Sequence, residues 1–107
     1  MNSRLFEDGT RHGVAITGRF GFADYSSFKN LLSRMIASGT DWVIDLGAMD
    51  FIDSAGLGML LVATEEFRRS GHTLILRHPR GQVRRTLEIT TMRDLFTIEE
   101  AIETLSA

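Results

Sequence analysis

The residues best placed to do chemistry are Asp53 and Ser54, within the run Asp50-Phe51-Ile52-Asp53-Ser54-Ala55-Gly56-Leu57-Gly58-Met59-Leu60-Leu61. Two short polar side chains stand just before an apolar-periodic stretch. Side-chain oxygens at such a place cap the unpaired N–H groups of a helix start. Capping alone is a sufficient reason for an Asp-Ser pair there. The same place also suits a phosphoryl group, because helix N-terminal N–H groups and the positive end of the helix dipole favour an anion. Ser54 is therefore a candidate phosphate acceptor as well as a candidate cap. Other chemistries fit less well. Leu61 occupies the place where a dinucleotide fingerprint starting at Gly56 needs its third glycine, and no Lys follows the glycines as a P-loop requires. Nor does Ser54 sit in the Gly-x-Ser-x-Gly elbow of a hydrolase nucleophile.

Those residues need elements to position them. Trp42-Val43-Ile44-Asp45-Leu46 is a short, β-branched apolar run that predicts a central strand ahead of the motif. A helix is expected from about Ala55 to Ser70, with Leu57, Leu60, Leu61, Thr64 and Phe67 on its buried stripe and Gly71 as its stop. Thr73 to Arg77 predicts the next buried strand, ended by Pro79, so the unit reads as a right-handed parallel crossover. Ala55, Gly56 and Gly58 are small enough to bring the helix start close to the sheet.

Upstream, Arg4 to Asp8 and Val14 to Gly18 read as strands joined by the turn-prone Asp8-Gly9-Thr10. An amphipathic helix follows, with Tyr25, Phe28, Leu31, Leu32, Met35 and Ile36 at spacings of three and four, Asp24 as its cap and Gly39 as its stop. Downstream, Val83 and Leu87 mark a short helix and Leu95-Phe96-Thr97 a short edge strand. Thr97-Ile98-Glu99-Glu100 fits a capping box for a last helix burying Ile98, Ala101, Ile102 and Leu105. Strands alternating with helices make the class α/β, one domain spanning residues 1–107.

Composition narrows the function. The 107 residues are 43% hydrophobic and 24% charged, as in an ordinary globular domain. Twelve bases against fourteen acids, net −2, supply no basic footprint for direct nucleic-acid binding. The lack of Cys excludes a disulfide framework, a Cys-based zinc site and a thiol nucleophile, and suits a reducing cytoplasm. His12, His72 and His78 lack ligand spacing, so neither a metal nor a cofactor is expected. The longest near-apolar run, Gly56 to Ala63, falls well short of the ~20 residues that span a bilayer. Acidic Glu7 and Asp8 arrive before any signal-peptide core could form, so the chain is expected to stay cytoplasmic and outside the membrane.

In one respect the sequence is more specific. Val43-Ile44-Asp45-Leu46 followed by Phe51-Ile52-Asp53-Ser54-Ala55-Gly56-Leu57-Gly58-Met59-Leu60-Leu61 resembles the signature of the STAS family, whose bacterial members include the anti-sigma factor antagonists. The likeness continues through Gly71-His72-Thr73-Leu74-Ile75-Leu76, Val83 to Leu87, and Leu95-Phe96-Thr97-Ile98 with Glu100-Ala101, in order and spacing from about Gly13 to Leu105. It implies a small SpoIIAA-like domain, a mixed, mostly parallel sheet wound with about four helices in β-α turns. It also implies a function without catalysis. In the family, the serine matching Ser54 is phosphorylated by a partner serine kinase that is itself the anti-sigma factor. The unphosphorylated antagonist binds that factor and frees sigma, and a PP2C-like phosphatase reverses the modification. The residues it implicates in partner binding are Asp53, Ser54, Ala55, Gly56, Leu57 and Gly58, with Asp24 and Asp45 as further candidates. A second expectation, since STAS modules occur there too, is a non-catalytic subunit of an ABC-type lipid transport complex in the membrane.

The chain also departs from the family pattern. Many members carry an acid three positions after the glycine matching Gly18; here that place is Gly21 and the next acid is Asp24. Asp24 then has two readings, helix cap or partner contact. Thr90-Thr91-Met92 stands where a glycine is common. Phe20 and Phe22 read either as packing under the first helix or as an apolar patch for a partner. The Arg77, Arg80, Arg84 and Arg85 cluster reads as a solvated face or as a dock for an acidic partner.

Overall fold

A computed structural model describes residues 1–100. Antiparallel β1 (Asn2–Asp8) and β2 (Arg11–Phe20) lead through a 3-10 turn (Phe22–Asp24) into α1 (Tyr25–Ala37). Then come β3 (Trp42–Asp45), β4 (Met49–Ile52), α2 (Ser54–Arg69), β5 (Leu74–Arg77), α3 (Gly81–Ile89), a 3-10 turn (Arg93–Leu95) and β6 (Thr97–Glu99). The sheet runs β1-β2-β3-β5-β6, all parallel except the β1–β2 pair. A mixed, mostly parallel sheet wound with helices is what the resemblance implies.

The strand β4 is the element that the sequence reading missed. The β2 strand pairs with β3 over His12 to Ala15 and then in parallel with β4 over Gly18 to Phe20, with a register shift between Gly18 and Arg19. Gly18 has φ +78°, a conformation that glycine adopts without Cβ strain. Thus β3 and β4 lie along one side of the long β2, and β4 delivers the chain directly to the start of α2.

The core is one cluster. Phe28, Leu31, Leu32 and Met35 of α1 and Met59, Leu60, Ala63 and Phe67 of α2 pack with Val14, Ile16, Ile44, Leu74 and Leu76 of the sheet. Phe20 meets Phe28 edge to face at 5.2 Å between ring centroids. The buried stripe of α2 is therefore turned slightly from the expected one. Met59 and Ala63 are inside, while Leu57, Leu61 and Thr64 are only partly covered.

Two further expectations are corrected. Thr97–Glu99 is not a helix start but a strand, pairing Thr97, Ile98 and Glu99 with Ile75, Leu76 and Arg77. The parallel edge of β5 offers a ladder of backbone partners, and the β-branched Thr97 and Ile98 suit it better than a capping box does. The edge strand expected at Leu95-Phe96-Thr97 thus begins two residues later. Ala101, Ile102 and Leu105, assigned to a last helix, lie outside the described residues, within which three α-helices occur.

Candidate functional site

The site is built around the carboxylate of Asp53. This residue is the N-cap of α2, in extended conformation, and its Oδ1 accepts a hydrogen bond from the Gly56 N–H at 2.7 Å. Its Oδ2 accepts from the Phe22 N–H at 3.2 Å, so one side chain ties the start of α2 to the turn before α1. The Gly56 N–H chiefly holds the Asp53 carboxyl below the ordinary aspartate range, against the opposing effect of desolvation. The Phe22 and Ala55 N–H groups and the nearby Arg19 charge add to the lowering. Arg19 itself lies over the Phe51 ring at 4.3 Å.

Capping is thereby assigned, and it is not assigned to Ser54. Ser54 is the first residue of α2 and is exposed. It stands where the unpaired N–H groups of the helix start favour an anion. Ala55, Leu57 and Gly58 are partly exposed around it, while Gly56 is buried.

The two glycines of the motif differ. A Cβ on Gly56 would stand 2.5 Å from the Phe20 carbonyl oxygen and 2.8 Å from Ile52 Cγ1, so glycine there allows α2 to approach β2 and β4. A Cβ on Gly58 would meet nothing within 4 Å. Gly58 therefore plays no part in close packing on the sheet, which corrects the expectation for it.

Gly21 also has a physical reason. A Cβ there would lie 2.6 Å from Asp53 Cγ, because the Asp53 carboxylate already fills that space. Asp24 Oδ2 accepts from the Gly21 N–H at 2.9 Å, while its Oδ1 is 3.2 Å from the Met1 nitrogen. Asp24 sits at the N-cap of α1 without a side-chain hydrogen bond to that helix. The capping role expected for it is replaced by one in closing the turn.

Asp45 is engaged elsewhere. Its Oδ1 accepts from the Gly47 N–H at 2.7 Å in the β3–β4 turn, and its Oδ2 meets Arg77 Nε at 3.4 Å. Of the two phenylalanines weighed together, Phe20 is core at 1% exposure and Phe22 is 80% exposed. The arginines divide too. Arg77 joins Asp8, Asp45 and Glu99, whereas Arg80 faces Asp50 at 3.7 Å, Arg84 pairs with Glu100, and Arg85 is exposed. The three histidines lie apart: His12 against Trp42, His72 beside Asp41 and His78 near Asp45.

Two features were not anticipated. Gln82 of α3 acts as a substitute strand for β4: its Oε1 accepts from the Ile52 N–H and its Nε2 donates to the Ile52 carbonyl, both at 2.9 Å. The contact joins residues thirty apart, with no local pattern to announce it. The second feature is an apolar groove between α1 and α2, which reaches the site through Ala55. Its signal was present in the sequence, since 25, 28, 29, 32 and 55, 58, 59, 62 share one helical spacing.

The comparisons with known proteins agree with the fold. Residues 9–105 match the STAS domain. A STAS-domain containing protein of Pseudomonas aeruginosa is 30% identical over 91 residues, covering 85% of this chain and 90% of its own. A Bordetella bronchiseptica protein described as a candidate anti-sigma factor antagonist, BtrV, is 32% identical over 65 residues, covering 61% of this chain and 56% of its own. Among solved structures, a candidate anti-sigma factor antagonist of Thermotoga maritima superposes with a TM-score of 0.81 at 17% identity, covering 92% of this chain and 86% of its own. The anti-sigma factor antagonist SpoIIAA superposes at 0.70 and 18% identity, covering 95% of this chain and 91% of its own, and has been solved unphosphorylated and phosphorylated. By sequence match and by fold, the chain belongs to the STAS domain family.

Proposed function

We propose that this chain is an anti-sigma factor antagonist that acts by binding, without catalysis, in the cytoplasm. In this reading the unphosphorylated protein binds an anti-sigma factor that is a serine kinase and thereby releases a sigma factor. Phosphorylation of Ser54 ends that binding, and a PP2C-like phosphatase restores it. The observation that carries the reading is the division of labour at the start of α2. Asp53 caps the helix, which leaves the exposed Ser54 without that structural duty.

The physics of the switch is local. On the free protein a phosphate at Ser54 is tolerated, because the helix N-terminus favours an anion. Inside an interface, the additional charge of about −1.5 to −2 must be desolvated beside Asp53 unless a partner cation meets it. Each ~1.4 kcal/mol of that cost is tenfold in affinity, so one modification weakens a micromolar complex a hundredfold or more without refolding.

A pull-down with wild type, Ser54→Ala and Ser54→Asp as baits tests the reading. Wild type and Ser54→Ala are expected to capture an ATP-binding anti-sigma kinase that Ser54→Asp does not. Capture of the same transport-ATPase subunits by all three baits would overturn it in favour of a membrane transport complex.

A further inference from the structure

Gly58 lies in the interior of α2, where glycine is the poorest helix former after proline. A glycine in such a place commonly serves close packing within the protein. Here a Cβ would meet nothing within 4 Å among the described residues, so its absence leaves open space outward. That space is the groove of about 370 Å³ between α1 and α2. Tyr25, Phe28 and Leu32 form one wall, Met59 and Val62 the other, and Gly58 lies between them. Tyr25 and Val62 are each 55% exposed. The α1 wall runs from Tyr25 to Leu32 and the α2 wall from Ala55 to Val62, each two helical turns or about 10 Å.

We infer that this groove seats a two-turn apolar helical segment of the anti-sigma factor, carrying an Asp or Glu that meets Lys29. The inference rests on the antagonist reading and names the chemistry of its partner. Two parallel helix walls with i, i+3, i+4, i+7 side chains form the surface into which a third helix packs. Lys29, the only lysine in the sequence, is among the described residues the one charged residue in the lining and lies 5.9 Å from the Tyr25 ring centroid. A lone cation beside an apolar groove selects an apolar segment with one acid. A second copy fits poorly by the same groove, since two concavities leave a void and set Lys29 against Lys29. The arrangement also accounts for the switch. Ala55, next to Ser54, lines the groove, so a phosphate on Ser54 stands at its end and repels an acidic occupant.

The test measures affinities for the purified anti-sigma kinase from the pull-down. Gly58→Leu is expected to fill the groove and weaken binding at least about tenfold, the range of a buried anchor. It should also raise the melting temperature, because leucine is the better helix former, which separates lost binding from lost folding. Lys29→Glu is expected to weaken binding several-fold, with rescue when the matching acid of the partner is changed to Lys. Benzoylphenylalanine at position 62 should cross-link to an acid-bearing apolar helix of the kinase. If Gly58→Leu and Lys29→Glu bind like wild type while Ser54→Asp does not, the groove is not the seat and the antagonist reading stands. If wild type itself binds no anti-sigma kinase, both fall. A cross-link to a second copy or to a retained fatty acid would also overturn the groove assignment.

Discussion

At the scale of single residues, Asp53 couples three features: the cap of α2, the turn at Phe22 and the space over Gly21. Its folded pKa is depressed, so its contribution is fully present above the ordinary aspartate range and is lost as pH falls through the lowered folded value. Wild type should therefore melt above Asp53→Asn at neutral pH, and the gap should close on acidification, as followed by thermal melts across the acid range. The three glycines make a graded series. Gly56→Ala drives a Cβ into the Phe20 backbone carbonyl and should cost about 1–3 kcal/mol or more in urea unfolding. Gly21→Ala pushes the Asp53 carboxylate off its cap and should cost about 0.5–2 kcal/mol, the range of a lost N-cap. Gly58→Ala should stabilise by about 0.5–1 kcal/mol, because it gains helix propensity in open space. The Asp-Ser pair at a helix start was legible in the sequence. Which of the two caps was not, since that depends on whose oxygen reaches the Gly56 N–H. The reason for glycine at position 21 was equally hidden, because the group that excludes a side chain there lies thirty-two residues away on Asp53.

At the scale of elements, the presentation of Ser54 depends on β4 and on what holds it. One edge of β4 pairs with β2, while Gln82 supplies both a donor and an acceptor to Ile52. Gln82→Ala should leave the Ile52 backbone groups seeking other partners and cost about 1–3 kcal/mol. Amide hydrogen exchange at Ile52 should accelerate more than exchange in the middle of β3. Local patterning revealed α1 and α2 by their helical period, and β3 and β5 by short apolar runs bounded by turn residues. It missed β4, whose four residues run buried, exposed, half-buried and buried without a strand period, and whose pairing with β2 is broken by a register shift between Gly18 and Arg19. It misread Thr97–Glu99 for a related reason, since pairing with β5 outweighs a capping-box pattern.

At the scale of the whole molecule, one sheet and one core position an exposed serine beside an apolar groove, and no described helix is long and apolar enough to cross a membrane. The α/β class and the STAS resemblance were both readable because the motif and the element order occur together along nearly the whole chain. The groove stood in the sequence as two matching stripes. Its openness appeared only once α1 and α2 were set side by side. In the proposed switch, Ser54 carries the phosphate that ends binding. The most direct test is calorimetric titration of the captured anti-sigma kinase with the unmodified protein and with protein phosphorylated stoichiometrically at Ser54, its modification site mapped by mass spectrometry. The phosphorylated form is expected to bind with a dissociation constant at least about a hundredfold weaker, with both forms equally folded. Equal affinities for the two forms, or kinase-transferred phosphate found only on other residues, would contradict it.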